Sequence, residues 1–241
     1  EKIKAAIKTG RLSWADIEFH CRKVLKAKYD YGLASLKPIN TNNLTNDLNR
    51  DVNSMRKLIA ENALTVLKKT DAVFFPLTAK KDSVKKQIVY VNVGNSANNA
   101  MANRMRMDYD ADVINFSYQQ NDSETAKMIS EIKNKYNKVI IGIHNYTRFP
   151  ANNFGISKNA VDLVTQLQQK TKAITFVFGN VYAVKNWCNA KNLVACYEDD
   201  SIVQNAAVDL LQGKIAAQGK LPVTVCEQLK FGTGITFKAP N

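Results

Sequence analysis

From Gln87 onward the chain alternates short apolar runs with segments of helical spacing. QIVYVNV (87–93), DVINFSY (112–118), KVIIGIH (138–144), AITFVFG (173–179) and LVACY (193–197) are rich in Val, Ile and Phe. Such runs, bounded by Gly, Asn and Asp, predict strands buried on both faces. Between them, residues 97–107, 122–136, 157–170 and 200–213 place apolar side chains three and four apart and predict helices. Their expected caps are Asp122 or Ser123, then Ser157, then Asp200 or Ser201. LPVTV (221–225) is the expected last strand. Strands that alternate with helices pair in parallel through right-handed crossovers. The pattern therefore predicts an α/β fold, a three-layer αβα sandwich on a mostly parallel sheet of five or six strands.

Ahead of this region the spacing is helical. Residues 1–9 form a short helix that Gly10 ends. Ser13 and Asp16 stand at the spacing of a capping box, opening a helix with Trp14, Ile17, Cys21, Val24, Leu25 and Tyr29 as its apolar stripe. Gly32 stops it, and ASLKPINTNN (34–43) reads as a connector. A long helix is expected over 44–67, with Leu48, Val52, Met55, Leu58, Ile59, Ala63 and Val66 on one side. FFPL (74–77) reads as a strand end or turn, because Pro76 cannot donate to a ladder. The expected division is 1–43, a helical segment and connector, and 44–241, the sandwich domain.

Composition adjusts this picture in a few places. Of 241 residues, 45% are apolar, enough for a sizeable core. The net charge of +13 would suit a nucleic acid, but the lysines are scattered and not massed on one element with aromatics, so no nucleic-acid partner is expected. The densest group, Lys80, Lys81, Lys85 and Lys86, reads as a solvated loop. No uncharged apolar run approaches the length of a membrane helix. EKIKAAIKTG is a charged amphipathic start and not a signal peptide, which suggests a piece of a longer chain. Cys21, Cys188, Cys196 and Cys226 include no C-x-x-C pair, and no histidine stands at ligand spacing, so neither metal nor cofactor is expected. Cys196 and Cys226 read as buried thiols, with a Cys188–Cys196 disulfide as the bond considered.

Ligands of open α/β sheets bind beyond the carboxyl ends of the strands. That rule selects Asn95 after the first strand, His144 and Asn145 after the third, and Asn180 and Tyr182 after the fourth, all as substrate-proximal candidates. VGNSANNA has one Gly and lacks the spacing of a dinucleotide turn. Glu198-Asp199-Asp200 offers adjacent carboxylates, but at a helix start they read as an N-cap with its dipole complement. No residue is assigned a catalytic role.

In order and spacing, several segments resemble the C-terminal α/β domain of glycoside hydrolase family 3. RLSWADIEFHCRKVLKAKYDYGL is similar to the helix that ends the family's barrel, and ENALTVLKKTDAVFFPL to the entry into its second domain, with Lys69 where Asn is common. FGNVYAV resembles the family's fGNPY turn with Val181 in place of Pro, and YEDDSIVQNAAVDLLQGKIAAQGKLPVTV resembles the terminal helix and GkLPVt strand. The branch most alike is the bacterial N-acetylhexosaminidase type. The resemblance implies a retaining β-glycosidase whose nucleophile sits on an N-terminal (β/α)8 barrel that this sequence does not contain. It makes that barrel and a β-linked carbohydrate the expected partners and the chain alone inactive. It also implies a bacterial periplasmic or secreted parent, and a homodimer is expected to form through the uncovered barrel-facing surface. The alternative is a stand-alone flavodoxin-like module for a small ligand.

Overall fold

In the computed structural model, residues 1–77 and 88–239 are described. The lysine group at 80–86 lies outside them. The chain divides into two compact units, Glu1–Arg50 and Asp51–Asn241.

The first unit holds α1 (Lys2–Lys8), α2 (Trp14–Asp30) and α3 (Leu44–Asn49). The capping box opens α2: the Ser13 hydroxyl accepts from Asp16 N at 3.1 Å, and Asp16 accepts from Ser13 N at 3.0 Å. No residue of α2 is buried, and Trp14, Phe19, Val24, Leu25 and Tyr29 leave an apolar stripe uncovered.

The second unit is the sandwich. It comprises α4 (Val52–Ala63), β1 (Thr65–Lys69), β2 (Ile88–Val93), α5 (Ala100–Tyr109), β3 (Asp112–Phe116) and α6 (Asp122–Lys135). It continues with β4 (Lys138–Ile143), α7 (Lys158–Lys170), β5 (Lys172–Val177), β6 (Asn192–Ala195) and α8 (Ser201–Leu211). The six strands lie in the order β1-β6-β5-β4-β2-β3, all pairs parallel except β1 with β6. Side-chain alternation fills both faces. Val89, Val91 and Val93 of β2 enter one core with Ile132 of α6 and Leu163 and Leu167 of α7. Ile88 and Tyr90 enter the other with Met101 and Met105 of α5 and Val208 and Leu211 of α8.

Four expectations are corrected. The helix expected over 44–67 is α3 and α4, and its end is β1: Val66 is fully buried but pairs with Val194. β-Branched Thr65 and Val66 suit a pleated surface better than a helix turn. LPVTV forms no strand, and the sixth position is taken by β1. Asn121, not Asp122 or Ser123, caps α6, with Glu124 closing a capping box. The disulfide joins Cys188 to Cys226, not to Cys196, which is a buried free thiol.

Candidate functional site at the strand ends

Parallel strands β2, β4, β5 and β6 deliver their carboxyl ends to one rim of the sheet. β4 leaves His144 there, fully buried and stacked on Phe178 with ring centroids 4.4 Å apart. Its Nδ1 lies 2.7 Å from Asp199 Oδ1 and its Nε2 lies 2.7 Å from the Tyr90 hydroxyl. A carboxylate can only accept, so Nδ1 carries the proton and Nε2 accepts from Tyr90 and from Asn99 Nδ2, at 3.1 Å.

Asp199 is the hub of the rim. Besides His144 it receives Asn145 N at 2.8 Å and Gln204 Nε2 at 2.8 Å. It thereby joins the end of β4, the end of β6 and the first turn of α8. Burial pushes the Asp199 carboxyl up, but the hydrogen bond from His144 Nδ1–H, then those from Asn145 N and Gln204, outweigh it and hold it below the usual carboxylate range. Burial raises the phenols of Tyr90, Tyr118 and Tyr146 and the thiol of Cys196. These groups stay neutral.

The neighbouring carboxylates do different work. Asp200 caps α8, accepting from Ile202 N at 2.8 Å and Val203 N at 3.0 Å, and it pairs with Arg56 of α4. Glu198 lies 3.7 Å from the same guanidinium. Capping by Asp200 follows the sequence reading. Asp199 does not: it is 55 residues from His144, and its role depends on β4 and β6 flanking β5.

The sequence candidates are placed as follows. Asn95, Asn145 and Asn180 reach the rim with His144, but their amides are engaged within it. Asn95 donates to Asn92 Oδ1 at 3.0 Å, and Asn99 donates to the same oxygen at 3.1 Å. Asn145, at φ +52°, donates to Gly94 O at 3.3 Å. Asn180 donates to Arg148 O at 2.8 Å and accepts from Tyr182 N at 3.0 Å. Gly94 takes φ +92°, and a Cβ there would meet His144 O at 2.2 Å. Tyr182, 46% exposed, and Phe149, 61% exposed beneath the Arg148 guanidinium, are the aromatic rings the rim turns outward. Sequence reading missed Tyr90, Asn99, Gln204 and Asp199 as members of the network, and it missed Phe149. The period-2 inward position of Tyr90 was the available signal for the first.

No protein-family model matches the chain, and no curated protein does. Solved structures do match. A family 3 β-N-acetylglucosaminidase from Paenibacillus sp. strain FPU-7 is 19% identical over 92% of this chain and 41% of its own, with a TM-score of 0.55. A β-glucosidase from Listeria innocua is 16% identical over 92% of this chain and 34% of its own, with a TM-score of 0.64. A β-glucosidase involved in saponin metabolism from intestinal bacteria is 10% identical over 97% and 44%, with a TM-score of 0.65. This chain spans less than half the length of each, and a quarter of a fungal multi-domain family 3 β-N-acetylglucosaminidase. At these identities the likeness is one of fold: the chain has the α/β architecture found within family 3 glycoside hydrolases.

Proposed function

We propose that the chain is the C-terminal, non-catalytic α/β domain of a family 3 glycoside hydrolase of β-glucosidase or β-N-acetylhexosaminidase type. It braces a catalytic barrel and turns its strand-end rim toward a β-linked sugar. The supporting observation is how the rim carboxylates are used. Retaining glycoside hydrolysis needs two carboxyl groups about 5–5.5 Å apart across the bond. Asp199 is engaged by His144, Asn145 and Gln204, Asp200 by its cap and Arg56, and Glu198 lies 3.7 Å from the same guanidinium, so each of these three carboxylates already faces a partner. The fold supports the family reading over a flavodoxin-like module, since the similar structures include β-glucosidases and β-N-acetylglucosaminidases.

The pure chain is expected to release no chromophore from aryl β-glucosides or aryl β-N-acetylglucosaminides above the buffer rate. Measurable turnover would overturn the non-catalytic assignment. The gene upstream of Glu1 is expected to encode a (β/α)8 barrel, and its absence would overturn the family assignment independently.

The uncovered stripe of α2, and Met55, Leu58 and Ile59 of α4 at 58–61% exposure, are apolar surface of the kind a partner covers. Without the barrel, sedimentation is expected to show self-association that grows with protein concentration. A monomer throughout the range counts against a barrel-facing role for these residues.

A further inference from the structure

The strand order reverses between β2 and β4, the place where an open α/β sheet takes its ligand. Here that crevice is stapled. Asn145 Nδ2 donates to Gly94 O at 3.3 Å, and the Tyr118 hydroxyl donates to His144 O at 2.7 Å. A ligand arriving at the rim therefore meets the loops that leave β4 and β5.

The β4 loop is held in an unusual shape. Asn152, Asn153 and Phe154 take φ of +50°, +52° and +62° in succession, left-handed backbone that is strained for a phenylalanine. Several contacts impose it. Thr147 N donates to Phe154 O at 2.9 Å and closes the loop. The Phe154 ring is fully buried and edge-on to Tyr146, with centroids 6.1 Å apart, and Lys185 Nζ of the β5 loop lies 5.3 Å from its centroid. Strain maintained in this way collects at ligand clamps and other functional loops.

The tip of the loop is Arg148-Phe149, and side chains engage its backbone. The Thr147 hydroxyl accepts from Phe149 N at 3.1 Å and donates to Phe149 O at 3.0 Å, and Asn180 Nδ2 donates to Arg148 O at 2.8 Å. Asn180 Oδ1 accepts from Tyr182 N at 3.0 Å, so one amide registers Tyr182 of the β5 loop against the tip. The side chains of the tip turn outward. Phe149 and Tyr182 are exposed rings. The exposed Arg148 guanidinium lies 4.9 Å from the Phe149 centroid and pairs with no carboxylate among the described residues.

We infer that Arg148, Phe149 and Tyr182 form a recognition platform for a β-linked saccharide that carries a carboxylate. Such recognition presupposes the sugar-facing role proposed for the rim, and it adds an acidic group to the sugar. The negative face of an aromatic ring receives the polarised C–H face of a pyranose. A guanidinium beside that ring meets a carboxylate borne by the seated sugar, and its planar fork matches the carboxylate with two parallel bonds. Loops fixed at the backbone lose little freedom on binding, which favours a platform that is open to solvent.

The test titrates the 241-residue chain with three probes, each followed by amide NMR shifts. They are a hyaluronan tetrasaccharide, which alternates glucuronate with N-acetylglucosamine, neutral chitotetraose, and tetraglutamate. The hyaluronan fragment is expected to shift Arg148, Phe149 and Tyr182 and to bind about tenfold tighter than chitotetraose. Arg148→Gln is expected to erase that margin and leave chitotetraose binding unchanged. Phe149→Ala is expected to weaken both saccharides by about fivefold. Both side chains are exposed, so the β4 amides are expected to keep their shifts in each variant. Equal affinity for the two saccharides, or a margin that survives Arg148→Gln, would overturn the acidic ligand while the sugar-facing role of the rim stands. Tetraglutamate binding as tightly as the hyaluronan fragment would overturn the saccharide and leave only attraction between charges. Binding of neither saccharide would overturn the platform, and the gene upstream of Glu1 would still decide the family assignment.

Discussion

Gly142→Ala is expected to lower the stability of the sheet unit by about 3–5 kcal/mol. Gly142 sits on β4 between Asn92 of β2 and Phe176 of β5, in the middle of the sheet. A Cβ there would lie 2.2 Å from the Tyr90 hydroxyl oxygen and 2.4 Å from His144 Nε2. Neither neighbour can give way cheaply. Tyr90 and His144 are fully buried, and their 2.7 Å hydrogen bond lies where the methyl would go. The substitution must either displace two packed rings or break that bond and leave buried polar atoms unpaired. No left-handed backbone angle is involved, so the cost is steric and polar, not conformational. Urea unfolding is expected to show a lower midpoint with an unchanged slope, and melting to fall by about 10 °C. A loss under about 1 kcal/mol would mean that Tyr90 and His144 repack freely and that the network is soft.

The same pair shows where sequence reading succeeds and where it stops. Strand runs such as KVIIGI are visible because burial on both faces leaves few polar residues, and the strand-end rule then places His144 on the rim. The partners of His144 are not visible, because Tyr90 precedes it by 54 residues and Asp199 follows it by 55. Their meeting is fixed by strand order, which local periodicity does not encode. The EDD triplet carries two signals at once, and the capping signal of Asp200 masks the hub role of Asp199. β1 was hidden for a related reason. TVLKK continues the apolar spacing of α4, and its strand state comes from the antiparallel partner β6, more than 120 residues later. The Cys188–Cys226 bond is equally a product of the fold, since spacing favours neither Cys196 nor Cys226.

Asp199→Asn is expected to cost about 3 kcal/mol at neutral pH, and less in acid. All three groups that face this carboxylate are donors: His144 Nδ1–H, Asn145 N–H and Gln204 Nε2–H. An asparagine keeps one acceptor oxygen but must turn its NH2 toward one of those donors, so one bond is lost and one contact becomes repulsive. The pH dependence follows from the depressed carboxyl of Asp199. In the unfolded chain an aspartate titrates near about 3.9. A group whose folded value lies below that stabilises the fold fully above the unfolded value and loses this contribution as pH falls through the folded one. The wild-type advantage over Asp199→Asn should therefore be constant from neutrality down to about pH 5, then shrink as pH falls below about 4. Other carboxylates titrate alike in both proteins and cancel in the difference. Urea unfolding of the two chains across that range measures it directly. An advantage undiminished in acid would show that the His144, Asn145 and Gln204 contacts do not depend on the Asp199 charge, and the rim would then be held by shape alone.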